Sequence, residues 1–281
     1  MPGSRPELVP KALATGADAL VLDLEDAVAE SAKAEARAAV GAAVGACGDR
    51  GVFVRVNGLS TPHWEDDLRA VVRPGLTGVA LPKLESADEI VRVAALLDEL
   101  EQEADLPPGS VDIQALLETA RAIHDAYALL RASPRVRSYF GGFARDGDVA
   151  HALGARWTRG GDESLYLRSK LLLDGRAAGV PFPVSGTWAD VADVEGLAAF
   201  ARQNRDLGYS GMYVIHPAHV APVTAAFTPT DEELAWYRRV VDALDEAERA
   251  GAGAVAIDGV MIDRAMAARA RSALSVRVGA A

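Results

Sequence analysis

The chain reads as an α/β protein built on a parallel sheet, and two observations predict this. Short apolar runs recur at residues 19–24, 51–56, 77–82, 111–117, 138–143, 180–185 and 211–216. Alanine-rich amphipathic stretches lie between them, for example 31–44, 86–103, 119–131 and 163–178. Near-continuous apolar runs of this length suit strands covered on both faces, and alternation with helices implies right-handed crossovers between parallel neighbours. The units carry no repeated glycine fingerprint, which favours a (β/α)8 barrel over a doubly wound sheet.

The first run, Ala19 to Leu24, ends in a cluster of acids within Leu22-Asp23-Leu24-Glu25-Asp26-Ala27-Val28. Acids at the carboxyl end of a parallel strand stand where α/β proteins place their chemistry. The second run closes on Val54-Arg55-Val56-Asn57-Gly58. An arginine inside a β-branched strand is costly to bury unless its planar fork meets an anion, either a ligand carboxylate or phosphate or an internal partner such as Glu25 or Asp26. Lys83, after Leu81-Pro82, is placed to touch a phosphate or to pair with an acid. The fourth run ends directly on Glu118, a position open both to chemistry and to a favourable helix N-terminus. Asp146 and Asp148 follow the fifth run through a glycine-containing turn. Glu118 with one of these aspartates would suit Mg²⁺, which takes one or two carboxylates and keeps several waters.

The run count is seven, one short of a closed barrel. Pro2-Gly3 resembles the turn after a strand whose body is absent, and an unpaired edge would be a liability. The pattern changes after Pro229. Thr230-Asp231-Glu232-Glu233 predicts a capped helix running to about Ala250, followed by Gly251-Ala252-Gly253, a short strand at 254–258 and a last helix from about Arg264. The expected organisation is a barrel over residues 1–228 and a helical lid or arm over 229–281.

Several signals carry less. Gly251-Ala252-Gly253-Ala254-Val255-Ala256 leads into strand-like residues and not a helix, so it is not a dinucleotide fingerprint. His216-Pro217 closes the last run as a structural histidine, and His216 with His219 lacks a third zinc ligand. The single cysteine, Cys47, forms no internal disulfide and sits at an Ala/Gly-rich helix end unsuited to a nucleophile. A net charge of −11 argues against nucleic-acid binding. No run is long and apolar enough to span a membrane, and the N-terminus lacks the apolar core of a signal peptide, so a cytoplasmic protein is expected.

Taken together, the motifs resemble the CoA-ester lyases related to the citrate lyase β subunit: malyl-CoA, methylmalyl-CoA and citramalyl-CoA lyases of the HpcH/HpaI aldolase/citrate lyase superfamily. The matching pieces run in order from Pro2-Gly3-Ser4-Arg5-Pro6 through Leu22–Val28 with Lys33 and Arg37, Val54–Gly58, Leu81-Pro82-Lys83, Leu117-Glu118-Thr119-Ala120, Arg168-Ser169-Lys170, Ile215-His216-Pro217 and Phe227-Thr228-Pro229 to Gly259-Val260-Met261-Ile262-Asp263. The resemblance implies a pyruvate/phosphoenolpyruvate-type barrel holding Mg²⁺, or Mn²⁺ in its place, on Glu118 and an aspartate. Counting back from Leu153-Gly154 selects Asp148, with Asp146 as the alternative; counting forward from Phe140-Gly141 reaches Ala144, so this loop is longer than the family's. It further implies Arg55 on the substrate carboxylate, Glu25 and Asp26 around the metal's waters, and Asp263 as a catalytic acid reaching a neighbouring subunit's site. A CoA thioester and a 2-oxo acid would be the small-molecule partners, and a homotrimer or hexamer the assembly. Two departures stand out: the first strand is missing, and a family aspartate is replaced by Ser185.

Overall fold

The computed structural model describes residues 1–48 and 50–275 and divides the chain into two compact units, Met1–Phe227 and one beginning at Thr228. The first unit holds a seven-stranded sheet: β1 (Ala19–Asp23), β2 (Gly51–Arg55), β3 (Gly78–Leu81), β4 (Asp112–Leu116), β5 (Val136–Phe140), β6 (Phe182–Ser185) and β7 (Gly211–Met212). Spatial order equals chain order and every neighbouring pair is parallel. A doubly wound sheet would reverse its strand order at a switch point. This sheet does not, and its topology is that of a curled, barrel-like sheet.

Alternation sorts the strand residues between two faces. Leu20 and Leu22 of β1 and Val52 and Val54 of β2 join Ala36, Val40 and Val44 of helix Lys33–Val44 and Leu68 of helix Trp64–Val71 in one buried cluster. Asp23 and Arg55, one residue further along each strand, therefore fall on the opposite face. The register pairs them directly.

Several boundaries differ from the sequence expectation, each for a physical reason. β5 starts two residues earlier, at Val136, because Val136 is buried while Arg137 points outward. It stops at Phe140 because Gly141-Gly142 turns so closely against the Gly186 carbonyl that a side chain at Gly142 would overlap it. The amphipathic stretch 119–131 breaks into Ala120–His124 and Ala126–Leu130. Lys170 Nζ captures the carbonyls of Ile123 and His124 at 2.8 and 3.2 Å, removing acceptors a continuous helix would use. β7 spans two residues, not six, and Tyr213 adds one more bond through its N–H to the Ser185 carbonyl.

Beside β1 the chain forms a short stub at Met1–Gly3. Pro2 bridges Asp23 in parallel, Asp23 N–H donates to the Met1 carbonyl, Gly3 N–H donates to the Asp23 carbonyl, and the Met1 ammonium donates to the Val21 carbonyl at 2.7 Å. Among the described residues there are seven strands and this stub in the sheet, and no ladder joins β7 to the stub.

The second unit contains helix Asp231–Arg249, an antiparallel hairpin of β8 (Ala254–Ile257) and β9 (Val260–Asp263), and helix Arg264–Ser275. Its core is Val240, Leu244, Ile262, Ala267 and Ala270. Thr230 and Glu233 form the expected capping box. The sequence expectation has one strand here; Asp258-Gly259, both with positive φ, make the tight turn that folds Val260–Asp263 back as a second. Among the described residues no helix is long and apolar enough to cross a membrane.

Candidate active site

The carboxyl ends of β1 to β4 bring together most of the predicted residues. Arg55 lays its fork on Asp23, with Nε 2.8 Å from Oδ1 and Nη2 2.6 Å from Oδ2. Its Nη1 lies 2.8 Å from Glu25 Oε2. That contact is a charge contact off the hydrogen-bonding line, so Oε2 is buried without a hydrogen-bond donor among the described residues. Burial works against the Arg55 charge, but Asp23 and Glu25 more than offset it and hold the guanidinium protonated.

Lys83 knits the acids together. Its Nζ donates to Glu25 Oε1 at 2.6 Å and to both Asp26 oxygens at 2.9 and 3.0 Å. Its own N–H donates to Glu118 Oε1 at 2.9 Å. One residue serves three acids because its backbone is in the left-handed region, with φ 50°, an arrangement costing about 1–3 kcal/mol that clusters at functional sites. Burial opposes the Lys83 charge, yet the bonds to Glu25 and Asp26 raise its pKa. For Asp26 burial likewise opposes, and the Lys83 bonds prevail and lower it. Glu25 goes the other way: its burial outweighs the pull of Arg55 and Lys83 and raises it.

Glu118 is buried, and burial pushes its pKa up to about 7. The negative charges of Asp148 and Glu25 add to this; the Lys83 N–H and Arg55 oppose it. Asp148 is the exposed first residue of helix Asp148–Leu153, and its charge acts on Glu118. Asp146 is exposed in the preceding turn, with φ 55°, and is not among the main influences on Glu118. A desolvated carboxylate beside a second negative charge is a donor set that a hard cation relieves. Among the described residues no group of three or more His, Cys, Asp or Glu is placed to hold a metal ion.

Other predicted residues fall elsewhere. Asp263 ends β9 in the second unit, where its Oδ1 accepts the N–H groups of Ala265 and Met266, both at 3.0 Å. His216 is exposed and caps a short turn through Nδ1, whereas His219 is buried with neither ring nitrogen hydrogen-bonded among the described residues. His216 thus has the structural role expected of it, as the side-chain cap of the turn at Pro217. Ser185 is fully buried, with its hydroxyl lacking a hydrogen-bond partner among the described residues. Cys47 is buried, donates to the Ala43 carbonyl, and burial pushes its thiol up.

Sequence reasoning missed supporting residues. Asp23 was seen as one of three acids but given no task. Lys33 Nζ holds the carbonyls of Leu24 and Glu25 at 2.9 and 3.0 Å, fixing the acid loop. Buried Asp67 accepts from Asn57 N–H at 2.9 Å and from Arg37 Nε at 2.8 Å, fixing the loop after Arg55. Tyr213 donates to Gln114 Oε1, and its ring lies 5.3 Å from that of Phe140. The one available signal was strand parity, which sets Asp23 and Arg55 on a common face.

Comparison with known proteins places this geometry. Residues 1–217 match the HpcH/HpaI aldolase/citrate lyase family. A citrate lyase subunit beta-like protein of Deinococcus radiodurans is 39% identical over 280 residues, covering 98% of this chain and 94% of that one. A (3S)-malyl-CoA thioesterase of Cereibacter sphaeroides is 34% identical, covering 98% and 92%. An L-malyl-CoA/beta-methylmalyl-CoA lyase of Cereibacter sphaeroides is 32% identical, covering 93% and 88%. The crystal structure of CitE from Mycobacterium tuberculosis in complex with magnesium, acetoacetate and coenzyme A superposes with a TM-score of 0.75 at 33% identity, covering 98% and 95%. The chain belongs to the HpcH/HpaI aldolase/citrate lyase family, a family of metal-dependent carbon–carbon lyases.

Proposed function

We propose that this protein makes or cleaves a carbon–carbon bond in a β-hydroxyacyl-CoA resembling malyl-CoA or citramalyl-CoA, giving an acyl-CoA and a 2-oxo acid. The observation that carries this reading is buried Glu118, whose carboxyl feels the charges of Asp148, Glu25 and Arg55 at the strand ends where Arg55 lays its fork on Asp23. Mg²⁺, present in the CitE complex, fits the two carboxylates and would polarise the hydroxyl and carboxylate of the scissile fragment. Glu118 and Asp148 are its proposed ligands. Glu25 and Asp26 would order water at the site's rim.

Arg55 retains N–H donors beyond those given to Asp23, and these would bind the substrate carboxylate and fix its orientation. Lys83 restrains Glu25 and Asp26 and, through its N–H, one oxygen of Glu118. It acts here on acids; a direct substrate contact is its proposed second role once ligand enters. Asp263 is proposed to carry the proton at the α-carbon of the acyl-CoA: it gives the proton to the enolate on cleavage and takes it on condensation. Supplied by the second unit, residues 229–281, acting as a lid on a neighbouring subunit of a homotrimer or hexamer, it would keep water out until substrate is bound. The proposed site of action is the cytoplasm.

A second reading is hydrolysis of the thioester, favoured by the 34% identical thioesterase. An aldolase working without CoA and a non-catalytic partner subunit complete the alternatives, the latter drawing on Ser185. A chelator-controlled assay on malyl-, methylmalyl- and citramalyl-CoA separates them. The lyase reading expects metal-dependent release of a 2-oxo acid together with acyl-CoA. A free hydroxy acid plus CoA, with no oxo acid, would replace it with the thioesterase.

A further inference from the structure

We propose that Asp23 is a positioning residue that sets the Arg55 guanidinium for the substrate carboxylate; this rests on the lyase reading above. An ionised carboxylate has about four lone-pair sites. In Asp23 all are taken from within the protein: Oδ1 accepts Glu25 N–H at 2.9 Å and Arg55 Nε at 2.8 Å, and Oδ2 accepts Ala27 N–H at 3.3 Å and Arg55 Nη2 at 2.6 Å. The residue is 7% exposed. A carboxylate that is both buried and saturated has nothing left for a metal or a substrate, which separates it from Glu25, whose Oε2 lacks a hydrogen bond.

Its bonds instead join two pieces of the site. The parallel register sets the last residue of β1 against the last residue of β2, so the fork is built into the sheet. The same oxygens close the turn that carries Glu25 and Asp26. With the Nε/Nη2 edge of the guanidinium committed to Asp23, the donors left for a ligand are the second N–H of Nη2 and those of Nη1, which lies 2.8 Å from Glu25 Oε2 without a hydrogen bond to it. Bidentate pairing also stops rotation of the guanidinium, so the ligand need not pay to order it.

The test compares Asp23→Asn, Arg55→Gln and the double variant in the condensation direction, measuring KM for the 2-oxo acid and kcat, with Mg²⁺ affinity by calorimetry. Asn keeps one acceptor for the turn and loses the second arm of the fork. We expect Asp23→Asn to raise the oxo-acid KM about tenfold to a hundredfold, to leave Mg²⁺ affinity unchanged, and to add nothing in the Arg55→Gln background. An unchanged or lowered KM in Asp23→Asn, while Arg55→Gln raises it, overturns the proposal but leaves the lyase reading intact. Multiplying effects in the double variant also overturn it. If Arg55→Gln itself leaves KM unchanged, the carboxylate role of Arg55 fails and the proposal with it. A measurement on the unmodified protein guards against a variant that does not fold. The Arg55 Nε–H proton resonance is expected to exchange slowly and to stay in place on adding oxo acid with Mg²⁺, and fast exchange would overturn the assignment.

Discussion

Glu118 carries the sharpest consequence of burial at the scale of a single residue. In the metal-free protein its carboxyl is held at about 7, above its ordinary 4.5. The neutral acid therefore favours the fold: that contribution is complete below the unfolded value and is lost as pH rises through about 7. Metal binding runs the other way, because the ion takes the carboxylate. If Glu118 holds the ion as proposed, competition with one proton is expected to make Mg²⁺ affinity about tenfold weaker at pH 6 than at pH 8, measured by calorimetric titration in a non-chelating buffer. A flat dependence would show that Glu118 does not hold the ion. The acids themselves were legible from the sequence, since Asp23, Glu25, Asp26, Glu118 and Asp148 all follow apolar runs. Their division of labour was not. Whether a carboxylate is saturated, half-satisfied or desolvated depends on partners 32 to 58 positions away in the chain, as with Arg55 on Asp23 and Lys83 on Glu25.

Between elements, the site rests on side chains that tie strand ends to helices. Asp67, on helix Trp64–Val71, is fully buried and accepts from Asn57 and Arg37. Asp67→Ala would strand the two buried Asn57 donors and take away the nearer partner of half-buried Arg37, at a cost of about 3 kcal/mol. A thermal melt should show a large fall in Tm, and a melt close to that of the parent would contradict this account of the loop after Arg55. Packing elsewhere is equally tight. Gly175, on helix Asp162–Ala178, has no room for a side chain because the Tyr139 ring lies against it. Gly175→Ala is expected to cost about 1–3 kcal/mol by overpacking while leaving Mg²⁺ affinity unchanged. Strand and helix positions were readable because covered parallel strands leave uninterrupted apolar runs. The breaks were not. Lys170 splits the 119–131 helix from a position more than forty residues away, and no local pattern announces it.

The whole molecule is a sheet in chain order followed by a helix-and-hairpin unit. The sheet's order follows from the alternation of elements, which the sequence displays openly. The pairing of the Met1–Gly3 stub with β1 does not, since it depends on which backbone groups happen to face Asp23 and Val21. Assembly is a proposal at this scale and has its own test. If Asp263 serves a neighbouring copy, Asp263→Asn and Glu118→Gln are each expected to be inactive alone, while mixing them after reversible dissociation restores part of the activity. Mixtures that stay inactive would restrict Asp263 to its helix-capping role or to its own subunit. Asp263→Asn alone should retain Mg²⁺ binding.

The measurement that bears most directly on the central claim is a calorimetric titration of Mg²⁺ into the parent protein and into Glu118→Gln, with both folds checked by circular dichroism. The account predicts one saturable site per chain in the parent and its loss in the variant. Equal binding in the two proteins, or no binding in either, would contradict it.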